Sequence, residues 1–109
     1  MQTLRINGGW WQFIGPLRKR EDFRAGGAMR GENTPHGAGT LGDLPAQWHD
    51  SARSADYVVY SYVTPIAWHA GGAWVMPEVS YSVTTTRQQG RIATALSVLD
   101  DPQYDQYAT

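Results

Sequence analysis

Two adjacent glycines, Gly71 and Gly72, lie between two stretches rich in β-formers, and no other feature constrains the fold of this chain as much. Asp56-Tyr-Val-Val-Tyr-Ser-Tyr-Val runs on one side and Val79-Ser-Tyr-Ser-Val on the other. Branched and aromatic side chains suit a pleated, half-buried surface, and a glycine pair supplies the positive φ that a two-residue hairpin turn requires. Reversal at Gly71-Gly72 sets Tyr60 opposite Val83, Tyr62 opposite Tyr81, Thr64 opposite Val79, Ile66 opposite Pro77 and Trp68 opposite Val75. That face is almost wholly apolar. The other pairs Ser61 with Ser82, Val63 with Ser80, Pro65 with Glu78, Ala67 with Met76 and His69 with Trp74, and a one-residue slip would mix the two. The pattern predicts a long hairpin over residues 57–83. Pro65 and Pro77 cannot donate to a ladder, so the hairpin is expected to bend there. Its tip, with Trp68, His69 and Trp74, would project as an arm.

The same logic at Gly8-Gly9 places Ile6 opposite Trp11 and Leu4 opposite Phe13, predicting a smaller hairpin over residues 2–14 that Gly15-Pro16 ends. After the long hairpin, Thr85 with Gln88, or Thr86 with Gln89, has capping-box spacing. Ile92, Ala95, Leu96 and Leu99 then recur at i, i+3, i+4 and i+7, the stripe of a core-facing helix over residues 85–99. Asp100-Asp101-Pro102 stops it and leaves a polar tail, residues 100–109. A shorter helix is expected from Pro45 to Arg53, capped by Asp43, with Leu44, Trp48 and Ala52 on one side. Six of the eighteen residues 25–42 are glycine and no period survives, so that segment reads as a long loop. Together these elements predict one α+β domain, a twisted antiparallel sheet built on a long central hairpin with the C-terminal helix packed on one face.

Several classes of function drop out. No run of 18 apolar residues exists to span a membrane, and the N-terminus has no signal-peptide core. The chain has no cysteine, which excludes disulfides, thiolate nucleophiles and cysteine-type zinc sites and fits a cytoplasmic protein. Gly37-Ala38-Gly39-Thr40-Leu41-Gly42 matches G-x-G-x-x-G, but coil precedes it and Asp43-Leu44-Pro45 follows before any helix, so the dinucleotide context is missing. The single lysine, Lys19, rules out a P-loop. His36, His49 and His69 are too widely spaced for a local metal motif. Ser61, Ser80 and Ser82 fall on the less apolar strand face, where polar side chains are expected anyway, and no catalytic constellation stands above background. No enzyme, cofactor or metal is therefore expected.

What remains points to binding. Five tryptophans and six tyrosines exceed what a small core readily hides, and such rings anchor interfaces. Trp68, His69 and Trp74 are the expected contacts with a partner protein, and the aromatic surplus is also compatible with a homodimer. Residues 1–30 carry a balance of +4 and residues 31–109 one of −5. Such a split marks a basic arm, with Arg18, Arg20 and Arg24 as the patch for an anionic partner, or an arm that folds back on the acidic remainder. The alternative reading is a nucleic-acid binder that uses this basic, aromatic N-terminal third, against which stands the pI near 6.2. A third is a small metal-dependent or hydrolytic enzyme around the histidines.

The strand Asp56-Tyr-Val-Val-Tyr-Ser-Tyr-Val-Thr-Pro-Ile-Ala-Trp, a turn, a W-x-x-P strand and Y-S-x-T-T before a helix resemble an uncharacterised group of small proteins from actinobacteria and their phages. The resemblance spans about residues 41–96, beginning at Leu41-Gly-Asp-Leu-Pro. Members often carry a histidine shortly after the threonines, where this chain reads Arg87-Gln88-Gln89. The group has no assigned activity and brings no catalytic residues. What the resemblance implies is an accessory protein of a phage or mobile element in the bacterial cytoplasm. The surplus of aromatics, the projecting tip and the absence of a catalytic set add the expectation that it acts non-catalytically by binding a host macromolecule.

Overall fold

In the computed structural model, which describes residues 2–5, 8–79 and 81–107, six strands form one open sheet in sequence order. They are β1 (Gln2–Leu4), β2 (Phe23–Ala25), β3 (Met29–Asn33), β4 (Tyr57–Ser61), β5 (Thr64–Ala70) and β6 (Ala73–Val75). From β2 to β6 the neighbours are antiparallel, and β1 runs parallel to β2, so the sheet is mixed. Three helices complete an α+β fold: α1 (Ile14–Lys19), α2 (His49–Arg53) and α3 (Val83–Ser97).

The glycine reversal stands where the sequence puts it. Trp68 faces Val75, His69 faces Trp74 and Ala70 faces Ala73 in the expected register, with φ of 59° and 79° at Gly71 and Gly72. The hairpin is nevertheless short, and the expectation for residues 57–83 is corrected on both arms. Val75 is the last residue of β6, two before Pro77. On the other arm the chain reverses again at Tyr62-Val63, so that Tyr57–Ser61 folds back on Thr64–Ala70 as a separate strand. Continuous β-formers hide this corner because a non-glycine, Tyr62, takes the positive φ of 54°. The pairing stacks Val58 on Trp68 and Val59 on Ala67. As a result Trp68 is fully buried, and no arm projects.

The predicted hairpin over residues 2–14 is also overturned, although Ile6 in its pairing lies outside the described residues. Trp10–Phe13 form a 3₁₀ turn that runs into α1. Trp10, Phe13, Ile14 and Leu17 stand at i, i+3, i+4 and i+7, and this helical stripe outweighs the glycine pair: Phe13, Ile14 and Leu17 have no exposed surface. Pro16 falls in the first turn of α1, where its missing N–H is not needed. Residues 25–42 are not all loop, since they contain β3. Its pattern is broken by Gly31, where an added Cβ would meet the Phe23 ring and the Tyr57 hydroxyl; glycine permits this close approach inside a strand.

Each face of the sheet carries its own core. Phe13, Ile14, Leu17, Phe23, Met29, Tyr57, Val59, Ile66, Ile92 and Ala95 fill the first, beneath α1 and α3. Leu44, Ala52, Ala55, Val58, Tyr60 and Trp68 fill the second, with Trp48 packed against it. The large side chains among them each contribute roughly 1.5–3 kcal/mol by leaving water. The expected helix from Pro45 to Arg53 is a 3₁₀ turn, Ala46–Trp48, that runs into α2; its apolar side is as expected, but Asp43 does not cap it. Helix α3 starts two residues before the predicted 85, because the Ser82 hydroxyl accepts from the Thr85 N–H at 3.3 Å and takes the cap the threonines were expected to supply. The tail is not featureless either: Pro102–Tyr107 form a 3₁₀ helix. Among the described residues no helix is long and apolar enough to cross a membrane.

Candidate functional site

A groove of about 240 Å³ opens on the first face between α1, the β5–β6 hairpin and the end of α3. Its aromatic wall follows from strand register. Tyr57 on β4 stands opposite His69 on β5, which stands opposite Trp74 on β6, so the three rings share one face. Trp74 meets His69 edge-on with centroids 5.3 Å apart and Tyr57 at 5.8 Å. The His69 Nδ1–H donates to Asp56 Oδ1 at 2.7 Å, which fixes the orientation of the imidazole. The Tyr57 hydroxyl donates to the Glu21 carbonyl at 2.7 Å. Burial, reinforced by Asp22 and Glu21, pushes its pKa far above the usual tyrosine range, so it stays a neutral donor.

The opposite wall is basic at its top and apolar below. Arg18 lies in the last turn of α1, where a cation suits the helix dipole. Its Nη1 donates to Asp105 Oδ1 at 2.9 Å. Its Nε and Nη2 are buried and find no hydrogen-bond partner among the described residues. Arg20 follows as the left-handed cap of α1, with φ of 52° and an exposed side chain. Leu17, Leu96 and Leu99 form the apolar part, and Asp100 closes the rim. Such an arrangement can hold a hydrogen-bond acceptor against an apolar floor.

Four residues that the sequence singles out, Arg18, Arg20, His69 and Trp74, come together in this one groove. Trp68 does not join them: it lies in the second core, and its Nε1–H donates to the Ser51 hydroxyl at 2.8 Å. Arg24 alternates with the buried Phe23 and Ala25 and so points to the other face of the sheet. Sequence reasoning missed Asp56, Tyr57 and Asp105. The β4–β5 register would reveal the first two; a contact across 87 residues leaves no local signal. The histidines do not assemble. His36 is exposed, the His49 ring bonds the Leu44 carbonyl at 2.6 Å, and among the described residues no three metal-ligating side chains converge.

The model of a protein family described as a family of unknown function (DUF8033) matches residues 24–102. That span takes in β3 to α3 and stops short of the N-terminal turn and α1. No curated protein and no solved structure matches the chain.

Proposed function

The chain belongs to this family of unknown function, and we propose that it is a non-catalytic binding protein whose groove beside Trp74 takes a segment of a partner protein. In this reading it is a phage or mobile-element accessory that acts on a host protein in the bacterial cytoplasm. The observation that carries it is that Arg18, Arg20 and Trp74 line one groove with an apolar floor, so that a carboxylate or carbonyl of the partner can accept from a guanidinium while an apolar group packs against Trp74. Trp74 supplies the second anchor, held in place by His69 and Tyr57, so little side-chain freedom is lost on docking. Arginine and tryptophan in one small pocket are the residue types that dominate interface energetics. His69, tied to Asp56, serves to position Trp74.

Protein is favoured over nucleic acid because the basic N-terminal third does not form one strip. Arg18 and Arg20 border the first face, whereas Arg24 points to the second. Affinity capture from an actinobacterial host lysate tests the reading. The wild-type chain is expected to retain a discrete partner that Trp74→Ala and Arg18→Gln both lose. A Trp74→Ala chain that retains every partner removes this groove from the interface. Binding to generic DNA that weakens steeply with salt would replace the reading with the nucleic-acid one.

A further inference from the structure

A second groove, also about 240 Å³, lies on the other face of the sheet between the β2–β3 turn and the β4–β5 turn, and it shares no residue with the first. Arg24 and Arg30 stand directly opposite each other across β2 and β3 and both line it. Opposed side chains on one sheet face have Cβ atoms about 5 Å apart, and like charges placed so repel. Arg30 is partly compensated. Its Nε donates to Glu32 at 2.5 Å, its Nη1 donates to the Tyr62 carbonyl at 3.1 Å, and its guanidinium lies 4.3 Å over the Tyr60 ring. Arg24 is exposed and has no ion pair or hydrogen bond among the described residues, so its guanidinium is free to take an anion.

The third wall is Tyr62. It holds a left-handed backbone, φ 54°, that costs a non-glycine residue roughly 1 kcal/mol or more. Its N–H donates to the Ala28 carbonyl at 2.6 Å and its own carbonyl takes the Arg30 bond, so both turns hold it. The residue is nevertheless 62% exposed. Its backbone is thus fixed at the groove, with the ring open to solvent beside two guanidinium groups.

We propose that Arg24, Arg30 and Tyr62 form a binding site for a phosphate monoester joined through a sugar to a planar base, the class of the nucleoside 5′-monophosphates. The phosphate is the better anion for this pair. A planar carboxylate fills one fork, whereas the oxygens of a tetrahedral phosphate can accept from two forks on neighbouring strands. The attached ring stacks on Tyr62, an interaction that tolerates any base because each has a π-face. This site is independent of the groove beside Trp74.

Calorimetric titration with adenosine 5′-monophosphate, adenosine and inorganic phosphate tests the assignment on the full chain. The monophosphate is expected to bind at least about tenfold more tightly than either fragment, since it alone gains both the charge-assisted bonds and the stacking. Arg24→Gln should weaken it about tenfold, the loss of one charged pair. Tyr62→Gly suits the left-handed turn, so the fold is kept; it should reduce the monophosphate to the affinity of inorganic phosphate. Three results overturn the proposal: a monophosphate that binds no more tightly than phosphate alone, which makes the site one for an adventitious ion only; an Arg24→Gln chain with unchanged affinity; or binding of a phosphotyrosine peptide where the nucleotide shows none.

Discussion

Arg18 Nη1 and Asp105 Oδ1 lie 2.9 Å apart across 87 residues of sequence, and their pair ties the C-terminal 3₁₀ helix to α1. Tyr104 supports the contact by meeting the edge of Trp10 at 5.6 Å. The charge split of the chain is therefore expressed partly as fold-back, acidic tail on basic helix. The Asp105 side chain is 69% exposed, so the pair contributes at most about 1 kcal/mol and weakens with salt. Asp105→Ala is expected to lower the melting temperature by only a few degrees. Because it frees a further Arg18 donor at the groove, it should also tighten capture of the partner. Weaker capture would mean that Asp105 itself belongs to the interface.

Gly31→Ala should be the most damaging small substitution in the sheet. Its Cβ would enter space held by the Phe23 ring and the Tyr57 hydroxyl, both of them fully buried residues. Overpacking of this kind costs typically 1–3 kcal/mol. Gly39→Ala is the matched control, since its Cβ would come no closer than 4.0 Å to the Tyr60 hydroxyl. Urea unfolding of the two variants should therefore separate clearly. Equal midpoints would show that β2 and β4 can part around Gly31 without loss.

How much of this was legible depends on whether the deciding contact was local. Gly71-Gly72 fixed a turn and three residue pairs because hairpin register is set by the turn itself. The stripe Ile92, Ala95, Leu96 and Leu99 located α3, since helical spacing needs no distant partner. Trp10, Phe13, Ile14 and Leu17 carry the same stripe, yet the glycines at 8 and 9 and the aromatic content imitate a strand pair. The corner at Tyr62 is hidden for another reason: tyrosine is a poor left-handed residue, and it is held there by the pairing of β4 with β5 and by bonds to the Ala28 carbonyl and Arg30 that sequence spacing does not show. That corner buried Trp68 and moved it out of the expected tip. Arg18, Arg20, His69 and Trp74 were singled out for their chemistry, but their meeting in one groove depends on three segments packing together, which spacing cannot show.

Gln88 offers a gain in stability. It is only 4% exposed on α3, and both its Nε2 and its Oε1 lack hydrogen-bond partners among the described residues. Its neighbour Gln89 is satisfied instead, donating to the Ile66 carbonyl at 3.2 Å. Replacing an unpaired buried amide by an apolar side chain of similar length removes a penalty of about 1–3 kcal/mol. Gln88→Met is expected to raise the melting temperature, whereas Gln89→Met should lower it by stranding the Ile66 carbonyl. Thermal unfolding followed by circular dichroism distinguishes the two. A fall for both would mean that the Gln88 amide is engaged in solution.

Alkaline pH should unfold the protein through its buried tyrosines. Tyr57, Tyr60 and Tyr81 all have pKa values raised above the ordinary tyrosine value, in each case first by burial. Above about pH 10 the unfolded chain releases these protons while the folded chain keeps them. The unfolded state then binds fewer protons, so stability falls with rising pH. Below that range the three groups are protonated in both states and stability is independent of them. Urea midpoints are expected to hold steady from neutral pH until close to the tyrosine range and to drop beyond it. Tyr57→Phe should start lower, because it loses the hydrogen bond to the Glu21 carbonyl, worth about 1 kcal/mol. It has one fewer raised group, so its midpoint should fall less steeply and approach that of the wild type as pH increases. Parallel curves for the two proteins would show that Tyr57 ionises as readily folded as unfolded.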